Sequence, residues 1–298
     1  MTDADRGSTI GDAMRRAVRN LAEAGVGGAD FDTRVLMADV LGIETSSLLA
    51  RRERPIEPDA EERFTAYISR RRSGEPVHRI LGKRGFYGHD FELSAGTLEP
   101  RPDTEIVVEM GIAFLRTVDR DRPLRVLDIG TGSGVIALSI LVALPHTHAF
   151  GTDISEDALA TARRNAKRLK VDARFETSVT DYAAGITGPL DLAISNPPYI
   201  ATRDIAGLSS EVRDFDPKSA LDGGEDGLKA YRAIAAQVRS VLADDGSVVV
   251  EIGIDQKDPV TRIFEACGFT LSDWRKDYGG IVRALRFSRE EAPCDRFR

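Results

Sequence analysis

Asn196-Pro197-Pro198-Tyr199 is the stretch of this sequence best suited to chemistry. Asparagine offers a carbonyl acceptor on a short side chain, and tyrosine offers a flat aromatic face. Together they suit a planar NH2 group: acceptors hold its hydrogens while the ring packs on its π face. The chemistry implied is alkylation of an amide or amino nitrogen. The preceding apolar run, Leu190-Asp191-Leu192-Ala193-Ile194-Ser195, reads as a buried strand that two prolines cannot continue. A sharp turn is therefore predicted at the C-terminal edge of a sheet, where open α/β folds place their ligands. Taken alone, the same residues also fit a plain Pro-Pro turn after a core strand.

A second cluster lies upstream. Arg125-Val126-Leu127-Asp128-Ile129 reads as an apolar strand running into Gly130-Thr131-Gly132-Ser133-Gly134. A helical pattern with Val135, Ile136, Leu138, Ile140 and Leu141 follows. Strand, glycine turn and helix form the first unit of a dinucleotide-type fold, in which backbone approaches the ligand closely and the new helix offers free N–H groups. A second strand, near Ala149 to Thr152, ends in Asp153, 23 residues after Gly130. Such folds put a carboxylate on the ribose hydroxyls at this spacing. Asp153 also fits a helix cap before Ser155. The glycine spacing is G-x-G-x-G, with Val135 where the dinucleotide fingerprint wants its third glycine. That argues against a nicotinamide dinucleotide and for S-adenosyl-L-methionine.

These residues need elements to position them. Residues 1–78 read as a small helical bundle, with Met14, Val18, Leu21 and Ala24 on one stripe. A second helix, capped by Asp30, carries Val35, Leu36, Val40 and Leu41, and a third carries Phe64, Tyr67 and Ile68. Residues 79–102 are punctuated by Gly82, Gly85, Gly88 and Gly96 and read as a β-hairpin linker. From 103 to 288 strands and helices alternate, which implies a parallel sheet covered on both faces, closed by two terminal strands of which one is antiparallel. The polar residues 289–298 read as a disordered tail.

Composition narrows the class. At 298 residues two domains are expected, and 42% hydrophobic with 30% charged residues fits a globular protein. No run approaches the roughly 18 apolar residues of a membrane span, and the first 30 residues carry no signal-peptide pattern. Two cysteines, Cys267 and Cys294, leave no disulfide framework, so a reducing cytoplasm is expected. His78, His89, His146 and His148 are scattered, and no metal site is expected. The net charge of −7 disfavours binding of nucleic acid by the whole surface. Residues 51–85 differ, with ten Lys/Arg against six Asp/Glu, densest at Arg70-Arg71-Arg72. This stretch fits a solvated helix face or a docking patch for an acidic partner.

Asp128 to Gly134, Asp153 and Asn196 to Tyr199 resemble class I S-adenosylmethionine methyltransferases acting on amino or amide nitrogen. Glu75-Pro76-Val77, Pro100-Arg101-Pro102-Asp103-Thr104-Glu105, Glu211 to Pro217, Ala220-Leu221-Asp222-Gly223-Gly224 and Asp277-Tyr278-Gly279-Gly280 narrow the resemblance to the PrmC/HemK family, over roughly residues 10–288. Its members are glutamine N5-methyltransferases of peptide chain release factors. The Pro-Arg-Pro-Asp-Thr-Glu run discriminates most, since sister enzymes acting on a ribosomal-protein glutamine differ there and the DNA and RNA enzymes lack it. The resemblance implies a Rossmann-like seven-stranded sheet, a helical substrate-docking domain and a monomer. It implies that Asp128, Gly130, Thr131, Gly132, Ser133 and Gly134 line the methionine and ribose of the cofactor. It also implies that Asp181 and Tyr182 border adenine, and that Arg101, Asp103 and Glu105 help close the active site. Those last three also fit caps and surface charges of the helix after Pro102. Two departures stand out: Glu99 replaces an aliphatic residue, and Tyr182 replaces a tryptophan. A methyltransferase of exocyclic amines in DNA or RNA is the nearest rival. A nicotinamide oxidoreductase fails on glycine spacing, and a non-catalytic binding protein leaves the constellation without purpose.

Overall fold

A computed structural model describes residues 8–277 and 279–289, so Tyr278, Cys294 and the tail from 290 on lie outside the described residues. Two compact units are present. One runs to Lys83 and also takes in Ser210–Phe215; the other comprises Arg84–Ser209 and the chain from Asp216 onward.

In the smaller unit, α1 (Ile10–Glu23) begins at a reciprocal cap: Thr9 Oγ1 accepts from the Asp12 amide at 3.1 Å while Asp12 accepts from the Thr9 amide at 3.3 Å. The helix α2 (Ala29–Leu41) is preceded by Gly28 at φ 75°, not capped by Asp30, which pairs instead with Arg34 one turn along. Pro58 opens α3 (Pro58–Arg72), where its missing N–H costs nothing, and α4 (Val77–Leu81) follows. Met14, Leu21, Leu36, Met37, Phe64 and Ile68 meet in one apolar core. Leu48 joins them from a 3-10 turn, Thr45–Arg51, that has no periodic signal in the sequence.

The arginine run is not a free basic patch. Arg71 is buried and binds Asp32 and Glu211, each at 2.6 Å, and Arg70 binds Glu75 through Nε and Nη2. Arg70 and Arg72 are exposed, Arg70 with its charge already paired to Glu75.

The hairpin β1 (Lys83–Phe86) and β2 (His89–Glu92) turns through Tyr87 and Gly88, both at positive φ. After it, α5 (Glu105–Leu115) leads into β3 (Leu124–Ile129), α6 (Val135–Ala143), β4 (Thr147–Asp153), α7 (Glu156–Arg168), β5 (Phe175–Val179) and β6 (Leu190–Ser195). Short helices α8 (Ser210–Arg213) and α9 (Lys218–Leu221) precede α10 (Lys229–Val238), β7 (Leu242–Glu251), α11 (Lys257–Ala266), β8 (Phe269–Lys276) and β9 (Val282–Arg289). Arg289, the first residue of the expected tail, closes β9.

The seven-stranded sheet has the order β5-β4-β3-β6-β7-β9-β8, with β9 antiparallel to both neighbours. This is the expected Rossmann-like sheet. Alternate residues of the central strands feed two cores: Val126, Leu192 and Ile194 pack with α5 and α6, while Leu127 and Ala193 pack with α10 and α11. Burial on both faces is why these strands read as apolar runs. From β3 the chain first builds outward through β4 and β5, then returns to place β6 on the other side of β3. The reversal opens a crevice beyond the C-terminal ends of β3 and β6, where the glycine turn and Asn196 begin.

Candidate active site

The glycine turn is held from below. Asp128 is fully buried, and its Oδ2 accepts from the Thr131 hydroxyl at 2.7 Å and from the Ala137 amide at 3.1 Å. Its Oδ1 has no hydrogen-bond partner. Burial raises this carboxyl to about 7 against those two bonds. Gly130 and Gly132 have φ of 69° and 57°, a region that other residues avoid, and nothing lies within 4 Å of a side chain placed there. The space above them is the cavity. Asp153 ends β4 and accepts from the Gly132 amide at 2.9 Å and the Ser155 amide at 2.9 Å. It is not the helix cap: Ser155 caps α7 by accepting from the Ala158 amide. Burial raises Asp153 against its backbone bonds.

Asn196 donates through Nδ2 to Thr104 Oγ1 at 3.1 Å, and Thr104 donates to Glu251 Oε2 at 2.7 Å. The other oxygen of Glu251 faces the Tyr199 hydroxyl at 3.4 Å. Glu251 closes β7, is 1% exposed, and is raised to about 7 by burial, opposed by the Thr104 bond and Arg283. Burial also raises the Tyr199 phenol, and Glu251 adds to that shift. The Tyr199 carbonyl accepts from Gln256 Nε2 at 3.0 Å. Thr104 stands in the Pro-Arg-Pro-Asp-Thr-Glu run but was given no role from sequence, and Glu251 and Gln256 were not singled out. The only signal for Glu251 was an acid ending the apolar run Val248-Val249-Val250.

The Ala220 to Gly224 segment explains itself here. Ile200 pairs with Asp222, and Gly223 donates to the Ile200 carbonyl at 2.8 Å. A Cβ on Gly223 would stand 2.8 Å from the Pro198 carbonyl oxygen and 2.9 Å from Tyr199 Cα. Gly223→Ala must therefore shift the Pro-Pro turn. We expect it to cost about tenfold or more in kcat while the protein stays folded, since misplacement of about 1 Å is felt strongly in turnover. Steady-state kinetics beside a melting curve checks this, and wild-type kcat would mean that the turn carbonyls are not used.

These pieces enclose a cavity of about 150 Å³. Gly130, Thr131, Gly132, Ser133, Asp153, Asp181, Tyr182, Asn196 and Pro198 line it, all foreseen from sequence, together with Thr104, Ile136 and Ile154, which were not. Ile154 is 61% exposed, an apolar side chain left open at the cavity wall. Asp128 and Gly134 lie behind the turn, and Pro197 and Tyr199 lie behind Asn196 and Pro198, outside the lining. Of the Pro-Arg-Pro-Asp-Thr-Glu run, only Pro100 and Thr104 reach the cavity. Arg101 binds Asp216 at 2.8 Å, and Asp103 faces Arg283 at 3.8 Å. Glu105 accepts from the Tyr87 amide at 2.8 Å, bracing the hairpin turn. Glu99 pairs its buried carboxylate with Arg84 of β1 at 2.7 Å, which accounts for an acid at that position. Among the described residues no His, Cys, Asp or Glu cluster could hold a metal ion, and no helix is long and apolar enough to cross a membrane.

A sheet of this strand order, with a glycine turn and an acid at the ends of its first two strands, defines a methyltransferase domain. The family model of the methyltransferase small domain matches residues 109–210, and that of the PrmC N-terminal domain matches residues 12–82. The release factor glutamine methyltransferase of Agrobacterium fabrum is 46% identical over 95% of this chain and 98% of that protein. That of Rhodospirillum rubrum is 43% identical over 95% of this chain and 86% of that protein. The chain belongs to the family of release factor glutamine methyltransferases. The fold is shared more widely: the catalytic domain of hMettl16, solved with the MAT2A 3′UTR hairpin 6, superimposes with a TM-score of 0.57 at 15% identity, covering 71% of this chain and 81% of that one.

Proposed function

We propose that this chain transfers a methyl group from S-adenosyl-L-methionine to the side-chain amide N5 of the glutamine in the Gly-Gly-Gln loop of peptide chain release factors. The observation that carries the reading is the orientation of Asn196. With its NH2 spent on Thr104, its carbonyl oxygen is left for the cavity, where it can accept an N–H of the substrate amide.

The cavity residues fit the cofactor by their chemistry. Asp153 has acceptor capacity beyond its two backbone bonds, enough for a vicinal diol. Asp181, Tyr182 and Ile154 offer a polar edge and apolar faces for a purine. The open space over Gly130 and Gly132 admits backbone-close contact with the amino-acid end. When bound, this cofactor supplies a methyl group on a sulfonium.

A carboxamide nitrogen is a poor nucleophile because its lone pair is delocalised into the carbonyl. The chain's contribution is then positioning. Asn196 Oδ1 and a carbonyl of the Pro197-Pro198 turn each accept one N–H, which aims the nitrogen's residual lone pair at the methyl carbon. Such alignment supplies up to roughly 7–11 kcal/mol. As the N–C bond forms and the S–C bond breaks, positive charge grows on nitrogen, and the same two acceptors stabilise it. The proton leaves to solvent afterwards. Tyr199, held by Glu251 and Gln256, braces the turn from behind Asn196 and Pro198.

The enzyme acts as a cytoplasmic monomer, and the helical unit selects the protein substrate. A loop tip buries little area, well short of the ~1,200 Å² of a standard interface, so a second contact is required. Because Arg70 and Arg71 are internally paired, the exposed Arg52, Arg54 and Arg72 are the better candidates. Replacing these three with glutamate is expected to lower kcat/KM on whole release factor about tenfold, leaving methylation of a short Gly-Gly-Gln peptide unchanged. Equal losses on both substrates would remove the docking role.

The proposal as a whole is tested by radiolabelled methyl transfer to release factor, ribosomal protein and oligonucleotides in parallel. Label should enter release factor and vanish when the loop glutamine is replaced. Label in an oligonucleotide or in ribosomal protein alone would overturn it.

A further inference from the structure

We propose that Glu251 sets, through the Thr104 hydroxyl, which way round the Asn196 carboxamide faces, and so acts as a positioning residue for methyl transfer. The inference rests on the role given to Asn196 above and adds a control over it.

The hydrogens available around Thr104 decide the orientation. Thr104 has one hydroxyl hydrogen and two neighbours in reach, Glu251 Oε2 at 2.7 Å and the Asn196 amide at 3.1 Å. An ionised Glu251 can only accept, so the hydrogen goes to it. The Thr104 oxygen is then an acceptor, Asn196 must present its NH2 there, and its carbonyl oxygen turns to the cavity. A protonated Glu251 can donate to Thr104 instead. That frees the hydroxyl hydrogen for Asn196 and favours the reversed amide, with NH2 toward the cavity. A donor would then meet the NH2 of the substrate, and the nitrogen would lose its acceptor.

The surroundings place this exchange at an accessible pH. Glu251 is buried, which raises it to about 7. Facing it are Thr104 and Asp103 from the turn before α5, Tyr199 from the loop after β6 and Arg283 from β9. Tyr231 of α10 donates to the Glu251 main-chain carbonyl at 2.9 Å. Arg283 is itself held by Asp277 at 3.0 Å, so it does not neutralise Glu251 through direct pairing. A plain structural role, anchoring Tyr199, would need neither the Thr104 contact nor a change on protonation.

The chain has three asparagines, at 20, 165 and 196, so asparagine labelled with nitrogen-15 gives three side-chain NH2 groups and a direct readout without catalysis. Across pH values from about 5.5 to 8.5, the Asn196 signals should shift with one midpoint near that of Glu251. The shift should be lost in Glu251→Gln, whose amide can accept from Thr104 at every pH while donating to Tyr199. In turnover, wild-type kcat should fall with acid, approaching tenfold per pH unit below the midpoint, and Glu251→Gln should flatten that limb. Thr104→Val should cost about tenfold in kcat with the cofactor Kd within about threefold of wild type, and Thr104→Ser should restore turnover. If the valine variant does not fold, the serine and glutamine variants carry the test. An Asn196 signal that does not titrate, or that titrates equally in Glu251→Gln, overturns the proposal. Failure of the functional reading looks different: the signal titrates, but no methyl group reaches release factor at any pH.

Discussion

Asn196→Ala is expected to lower turnover at least ~10²-fold, the scale of a lost transition-state hydrogen bond in a preorganised site. The cofactor should bind almost as before, because Asp153 and the glycine turn are untouched. Stability should change little. Asn196 is only half-buried, and its loss leaves Thr104 with its bond to Glu251 intact. Turnover on release factor, measured beside calorimetric titration of S-adenosylmethionine, decides the matter. A mutant within a few-fold of wild type would return Asn196 to a plain turn position.

How much of this site could be read from sequence follows from how local each signal is. The turn from Asp128 to Gly134 and the Asn-Pro-Pro-Tyr run are continuous segments whose strand, break and ligand-facing groups lie within a few residues. Their place at a sheet edge was legible for that reason. Thr104 and Glu251 were not, because their meaning is created by pairing between distant segments. Glu251 reaches the Asn196 network only because β7 adds beside β6 in register, Ser195 opposite Val250. Thr104 reaches it because the turn into α5 passes over the same strand ends. The Arg70-Arg71-Arg72 run was ambiguous for the same reason, since nothing local announces that Asp32 and Glu211 will claim Arg71. At α2 the positive φ of Gly28 decided the helix start over a side-chain cap at Asp30.

Asp153→Ala should act on cofactor affinity. Each charged hydrogen bond lost to the ribose is worth roughly 1.5–3 kcal/mol, or about 10- to 150-fold in Kd. The structure adds a second reason for a large effect. The same carboxylate accepts from the Gly132 amide, so its removal also loosens the turn that approaches the ligand. Asp153→Asn separates the two, since its single carbonyl oxygen can keep one backbone bond while the charge is gone. If both substitutions weaken binding alike, charge on the ribose dominates. If only alanine does, Asp153 serves mainly to brace the turn. Calorimetry on the two variants and wild type distinguishes these cases, and an unchanged Kd in the alanine variant would leave Asp153 without a role in binding.

The return of Ser210–Phe215 to the helical unit bears on how such proteins can be recombined. That unit is discontinuous in sequence, completed by six residues from the middle of the catalytic half, and Glu211 within them meets the buried Arg71. A chimera that takes its helical part from a relative must graft both segments together, or Arg71 loses one of its two carboxylates. Deleting the N-terminal segment alone has the mirror-image fault, because it strands Glu211 and Phe215 without the unit they complete.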